Sequence, residues 1–91
     1  MVSAIPDAVL TPHAITEMRR RGIEAHTVNG VLLAPEQRLA VRAGRDVLQS
    51  RVVENGKVYL VRLFVDFDRT PPEVVTVYRT SKVDKYWRAG P

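Results

Sequence analysis

The dipeptide Asn55-Gly56 sits between two runs of alternating side chains, 46–54 and 57–67. A two-residue type I′ turn needs positive φ at both central positions, and Asn-Gly tolerates that well. Such a turn fixes strand pairing by counting outward. Glu54 faces Lys57, Val53 faces Val58, Val52 faces Tyr59, Arg51 faces Leu60, Ser50 faces Val61 and Gln49 faces Arg62. Side chains alternate across a sheet. One face therefore carries Tyr59, Val61, Leu63, Val65 and Phe67 with Val52 and Leu48. That set is almost wholly apolar and is expected to be buried. The opposite face carries Gln49, Arg51, Val53, Leu60, Arg62 and Phe64. A one-residue slip would exchange the two sets, so the register is strongly specified.

Upstream of residue 38 the periodicity is helical. Thr11 is a capping residue, Pro12 suits the first helical position and Gly22 is a natural stop, which predicts a helix over 12–21. Ala14, Ile15 and Met18 form its apolar stripe. His13, Glu17 and Arg20 or Arg21 share a neighbouring face. A second helix is predicted over 25–33, with Val28, Val31 and Leu32 inward, ended by Ala34-Pro35. Strands are expected over 38–43, 46–54, 57–67 and 73–79, followed by a basic tail, 80–91. Residues 1–10 read as a leader strand or loop. In the last strand Val75 and Val77 are expected inward, so that Thr76 and Tyr78 join Arg51 and Arg62. The order predicts a single α+β domain, 1–91, with two N-terminal helices packed on one face of a four-stranded antiparallel sheet.

Composition narrows the function. Ninety-one residues make one domain. No cysteine is present, which excludes thiol catalysis, cysteine zinc sites and disulfides. The apolar runs are far too short to span a membrane, and no membrane partner is expected. The first residues lack the basic start and apolar middle of a secretory signal, so a cytoplasmic location is expected. Asp66 and Asp68 are a weak metal pair without a clear third ligand, and no metal or cofactor is expected.

Fourteen basic residues against ten acidic give a net charge of +4. Residues 79–91 hold four basic and one acidic residue, and therefore most of that excess. Eleven of the basic residues are arginine, whose planar fork suits phosphate. Arg51 and Arg62 are diagonal neighbours in mid-strand and should repel. Either an anion binds there, or each pairs with a surface carboxylate such as Asp66 or Glu73. With Thr76 and Tyr78 on the same face and Lys82 and Lys85 at its rim, the residue types suit RNA phosphodiester cleavage without metal. That chemistry needs a base for the 2′-hydroxyl proton, cations for the phosphorane oxygens and an acid for the leaving 5′-oxygen. Arg51 and Arg62 would hold the phosphate, His13 or Tyr78 would move protons, and Thr76 would orient a contact. Arg79, Lys82 and Lys85 would guide RNA in. His13 reaches this site only if its helix starts at the sheet edge, and otherwise pairs with Glu17. Arg19-Arg20-Arg21 is a solvated helix end or a phosphate-contacting patch. Tyr86-Trp87 is a packing anchor or a base-stacking platform. A basic antiparallel sheet that binds nucleic acid or protein without cutting is the alternative.

Several of these residues also form a recurrent pattern. Pro12-His13-Ala14, then Met18, Arg21-Gly22-Ile23 and Pro35-Glu36, resemble the opening of the bacterial domain of unknown function 4258. Val75-Thr76-Val77-Tyr78-Arg79-Thr80-Ser81-Lys82 and Lys85-Tyr86-Trp87 resemble its closing strand and tail. The resemblance covers roughly residues 10–87. That family is similar in predicted fold to the RelE/ParE-like toxins, and more broadly to the barnase, EndoU, colicin and RelE group of metal-independent ribonucleases. It implies a RelE-like fold and a toxin, with RNA, free or as ribosome-bound mRNA, and a cognate antitoxin as partners. His13, Arg21 and Thr76 fall on recurrent positions, and Arg21 is expected to contact RNA. Glu17 stands where the family often has arginine, which either orients His13 or removes a phosphate contact. ParE-like members act by protein contact instead.

Overall fold

The structure is a computed structural model that describes residues 2–89. Its elements are β1 (Val9–Leu10), α1 (Pro12–Arg21), α2 (Ala25–Leu33), β2 (Gln37–Arg42), β3 (Arg45–Glu54), β4 (Lys57–Asp66), β5 (Glu73–Thr80) and α3 (Val83–Tyr86). Asn55 and Gly56 take φ of 52° and 75°, both left-handed. All six pairs counted outward from that turn are present between β3 and β4.

The sheet order is β1-β5-β4-β3-β2. It has five strands and is mixed, which corrects the expected four-stranded antiparallel sheet. The extra strand is β1, whose Val9 and Leu10 run parallel to Glu73 and Val74 of β5. Two residues are too few for an alternating pattern to show. Thr11 ends this strand and starts α1. Its Oγ1 accepts from the Ala14 amide at 3.2 Å and donates to the Val74 carbonyl at 3.0 Å. Gly22 closes α1 at φ 65°, with its N–H directed at the Arg19 carbonyl.

Both long helices pack on one sheet face. Ala14 and Met18 of α1 and Val28, Val31 and Leu32 of α2 bury against Leu48, Val61, Leu63, Val65, Val74 and Val77. A bulge at Phe64/Val65 pairs Val65 with Val74 and leaves Val75 outside the ladder. Val74, not Val75, therefore enters the core, while Val77 points inward as expected. Phe67 is also corrected: β4 stops at Asp66, and Phe67 is 39% exposed beneath the Arg38 guanidinium. At that end Asp66 is buried and takes Arg45 at 2.6 Å and Arg69 at 3.4 Å. The hydrogen bonds from Arg45 hold its carboxyl below the usual aspartate range.

The second sheet face is not open. Leu60 and Gln49 are fully buried on it, covered by α3 and the residues that follow. The short α3 was not expected from the sequence.

Candidate functional site

Gln37, Gln49, Arg62 and Tyr78 are successive cross-strand partners on β2, β3, β4 and β5. They form one polar row across the covered face. Arg62 Nε donates to Gln49 Oε1 at 2.8 Å, and its Nη1 donates to the Tyr78 hydroxyl. Gln49 Nε2 donates to Gln37 Oε1 at 2.7 Å and to the Tyr86 carbonyl at 3.1 Å. The rings of Tyr86, Phe64 and Tyr78 lie 4.5, 5.4 and 5.6 Å from the Arg62 guanidinium carbon.

Charge distinguishes Arg62 from the other half-buried arginines. Arg38 pairs with Asp46 at 2.7 Å, Arg45 with Asp66 at 2.6 Å and Arg79 with Glu54 at 3.0 Å. Arg62 makes no ion pair among the described residues. Two neutral oxygens and three ring faces hold it instead. A partly desolvated cation without a carboxylate costs free energy unless an anion completes its shell. Among the described residues its Nη2 has no acceptor, and no described buried side-chain nitrogen lacks a partner, so Nη2 is not wholly enclosed.

Arg51 shares the face of Arg62, as the register requires, but it is neutralised. Its Nη2 and Nε lie 2.9 and 3.2 Å from the Glu36 carboxylate, and its backbone N–H donates to Glu36 Oε1 at 2.7 Å. The side-chain hydrogen bond from Arg51 holds the Glu36 carboxyl below the ordinary glutamate range. The Trp87 ring covers Arg51 at 4.1 Å. The carboxylates named from sequence are used elsewhere, Asp66 by Arg45 and Arg69, and Glu73 by Arg69.

The remaining candidates divide. Thr76 lies opposite Phe64, two residues from Tyr78 on the same face. His13 is exposed on α1 with Nε2 at 3.2 Å from Glu17, and Glu17 also takes Arg21 at 3.2 Å. Arg21 Nη1 donates to the Val77 carbonyl on the outer edge of β5, and its guanidinium lies 6.0 Å from the Tyr78 ring. His13 thus connects to Tyr78 only through Glu17 and Arg21, eight residues or roughly 12 Å along the helix. Arg79 pairs with Val61 in register and turns to the helix-covered side, where it takes Glu54 and the Arg21 carbonyl. Lys82 is exposed before α3, and Lys85 Nζ lies 5.3 Å from the Tyr86 ring.

Gln37, Gln49 and Tyr86 were not named as site residues. Gln49 was legible, because the hairpin register sets it opposite Arg62 and a glutamine in mid-strand needs partners. Gln37 was not, because an irregularity between Ala40 and Arg42 shifts the register that the Ala43-Gly44 turn starts. A groove of about 580 Å³ opens elsewhere, between α2 and β3, lined by Thr27, Gly30, Val31, Ser50 and Val52. Its lining also includes Glu36 and Arg51, but none of the four residues of the polar row. No group of three or more His, Asp or Glu side chains among the described residues is arranged to hold a metal. Comparison of the chain with protein-family models, curated proteins and solved structures finds no match.

Proposed function

We propose that this protein is a small cytoplasmic toxin of a toxin–antitoxin system, acting as a metal-independent endoribonuclease at Arg62 and Tyr78. The observation that carries the reading is the Arg62 guanidinium, half-buried, with no carboxylate and with Nη2 unpaired among the described residues. A phosphate oxygen supplies the missing charge. The motif pattern of residues 10–87 supports a RelE-like fold and a cognate antitoxin, and two helices on an antiparallel hairpin sheet are compatible with it.

In this scheme the RNA 2′-oxygen attacks the adjacent phosphorus and the P–O5′ bond breaks, giving a 2′,3′-cyclic phosphate. Arg62 Nη2 stabilises the charge on the phosphorane oxygens. The Tyr78 oxygen accepts from Arg62, so its own proton is free for the departing 5′-oxygen. The proton of the 2′-hydroxyl passes to solvent, and Tyr78 regains one from solvent. His13 is a positioning residue here, since it reaches Tyr78 only through Glu17 and Arg21. The requirement for a 2′-hydroxyl confines the reaction to RNA.

A second reading is a non-catalytic RNA-binding module. It is favoured by the engagement of Arg51 with Glu36, which leaves Arg62 without the second cation of a two-arginine clamp. One assay separates the two. Purified protein is incubated with unpaired RNA in the presence of chelator, and the ends are mapped. Cyclic-phosphate ends that disappear in Tyr78→Phe support the nuclease. Binding without cleavage supports the module, and neither binding nor cleavage overturns both.

A further inference from the structure

We propose that residues 83–88 sit where unpaired RNA binds, and must leave before RNA reaches the polar row. This rests on the reading of Arg62 as a phosphate site and names the substrate class and its regulation.

The contacts of the tail have a repeating chemistry. The Tyr86 ring lies over Arg62 at 4.5 Å and the Trp87 ring over Arg51 at 4.1 Å. Beside these rings, backbone oxygens of the tail accept hydrogen bonds. The Tyr86 carbonyl accepts from Gln49 Nε2 at 3.1 Å, and the Arg88 carbonyl from Gln37 Nε2 at 2.6 Å. The Arg88 amide closes the contact by donating to Gln37 Oε1 at 3.1 Å. The face is therefore satisfied by flat rings on guanidinium groups and by acceptor oxygens on amide donors. Unpaired RNA offers the same pair of features in its base faces and its phosphate and base oxygens. A duplex does not, because its base faces are closed within the stack.

Charge makes the tail a poor permanent occupant. Residues 82–88 carry Lys82, Lys85 and Arg88 against Asp84, a net +2, and they lie on a face whose Arg62 has no counter-ion. Like charges are brought together, and a polyanion relieves both sides at once. The tail is held by these surface contacts and not by a buried anchor of its own: α3 is a single turn, and none of its residues is buried. Lys82, Lys85 and Arg88 are exposed and stay available to the RNA backbone when the tail is displaced.

Trp87 is the single tryptophan of the chain, so its emission reports the tail directly. The full-length protein is titrated with a 10-nucleotide unpaired RNA and with a 10-base-pair RNA duplex. The unpaired strand should shift Trp87 emission toward that of a solvent-exposed indole and raise its quenching by acrylamide, while the duplex leaves both unchanged. Trp87→Ala should bind labelled unpaired RNA at least threefold more tightly than wild type. Circular dichroism checks that the variant is folded. In this cysteine-free chain, Gln37→Cys with Arg88→Cys joined by a flexible bismaleimide should lose RNA binding relative to the same variant left unlinked. Three results overturn the inference while sparing the phosphate site: RNA binding with Trp87 emission unchanged, weaker binding by Trp87→Ala, or full binding by the linked variant. Absence of RNA binding by wild type and Trp87→Ala alike overturns the inference and the nuclease reading together.

Discussion

Arg62 on β4 and Tyr78 on β5 are direct cross-strand partners, and the arginine donates a hydrogen bond to the tyrosine hydroxyl. The pair joins a cation that has no carboxylate partner among the described residues to a hydroxyl whose oxygen accepts its hydrogen bond. In the proposed nuclease these two groups would supply charge stabilisation and proton delivery within one contact.

Tyr78→Phe keeps the ring that stacks on Phe64, with centroids 6.1 Å apart, and removes only the hydroxyl. RNA cleavage should fall by about 10²- to 10⁴-fold. RNA affinity should change by about threefold or less, since Arg62 remains. Single-turnover cleavage and binding by anisotropy, measured on the same preparation, check this. Equal losses in both would assign Tyr78 to binding.

His13→Ala removes an exposed side chain that pairs, among the described residues, with Glu17. Glu17 keeps Arg21, so the link to Tyr78 survives. The cleavage rate should stay within about twofold of wild type. A loss comparable to that of Tyr78→Phe would restore His13 to the reacting centre.

Asp66→Asn tests the acid side of stability. The folded-state pKa of Asp66 is held below its unfolded value by Arg45. Its contribution is therefore complete above the ordinary aspartate range, near pH ~3.9, and is lost as pH falls below it. Urea unfolding should show Asp66→Asn less stable at neutral pH by about 1.5–3 kcal/mol, with a shallower decline in acid. Parallel pH profiles for the two proteins would show that the pair contributes no such linkage.

Gly44 connects β2 to β3 at φ 80°, and a Cβ there would meet the Asp68 carboxylate, 2.7 Å from its Cγ. Gly44→Ala should cost about 1–2 kcal/mol from backbone conformation alone. A double variant that also carries Asp68→Ala should recover only the steric part. Thermal unfolding of the three proteins checks both statements. An unchanged midpoint for Gly44→Ala would contradict them.

The hairpin could be read from sequence because one dipeptide dictates a turn, and a turn dictates every pair that follows. That reasoning placed Arg51 and Arg62 on one face and Leu48, Val61, Leu63 and Val65 on the other. It could not follow a bulge, so Val75 was assigned the place that Val74 holds. It left residues 1–10 as a leader strand or loop, because β1 is two residues long and gains its order from β5. The largest gap was the tail. Which surface a terminal segment covers depends on tertiary contacts, here Gln37 and Gln49 with backbone groups at 86 and 88. The neutralisation of Arg51 was hidden for a similar reason. Glu36 precedes β2, and only the pairing of β2 with β3 brings it to Arg51.

The most direct measurement is the affinity of wild type and Arg62→Gln for a short unpaired RNA across a salt series. Wild type should bind with an affinity that falls as salt rises. Arg62→Gln should bind at least tenfold more weakly throughout while remaining folded. Equal affinities for the two proteins would contradict Arg62 as the phosphate site.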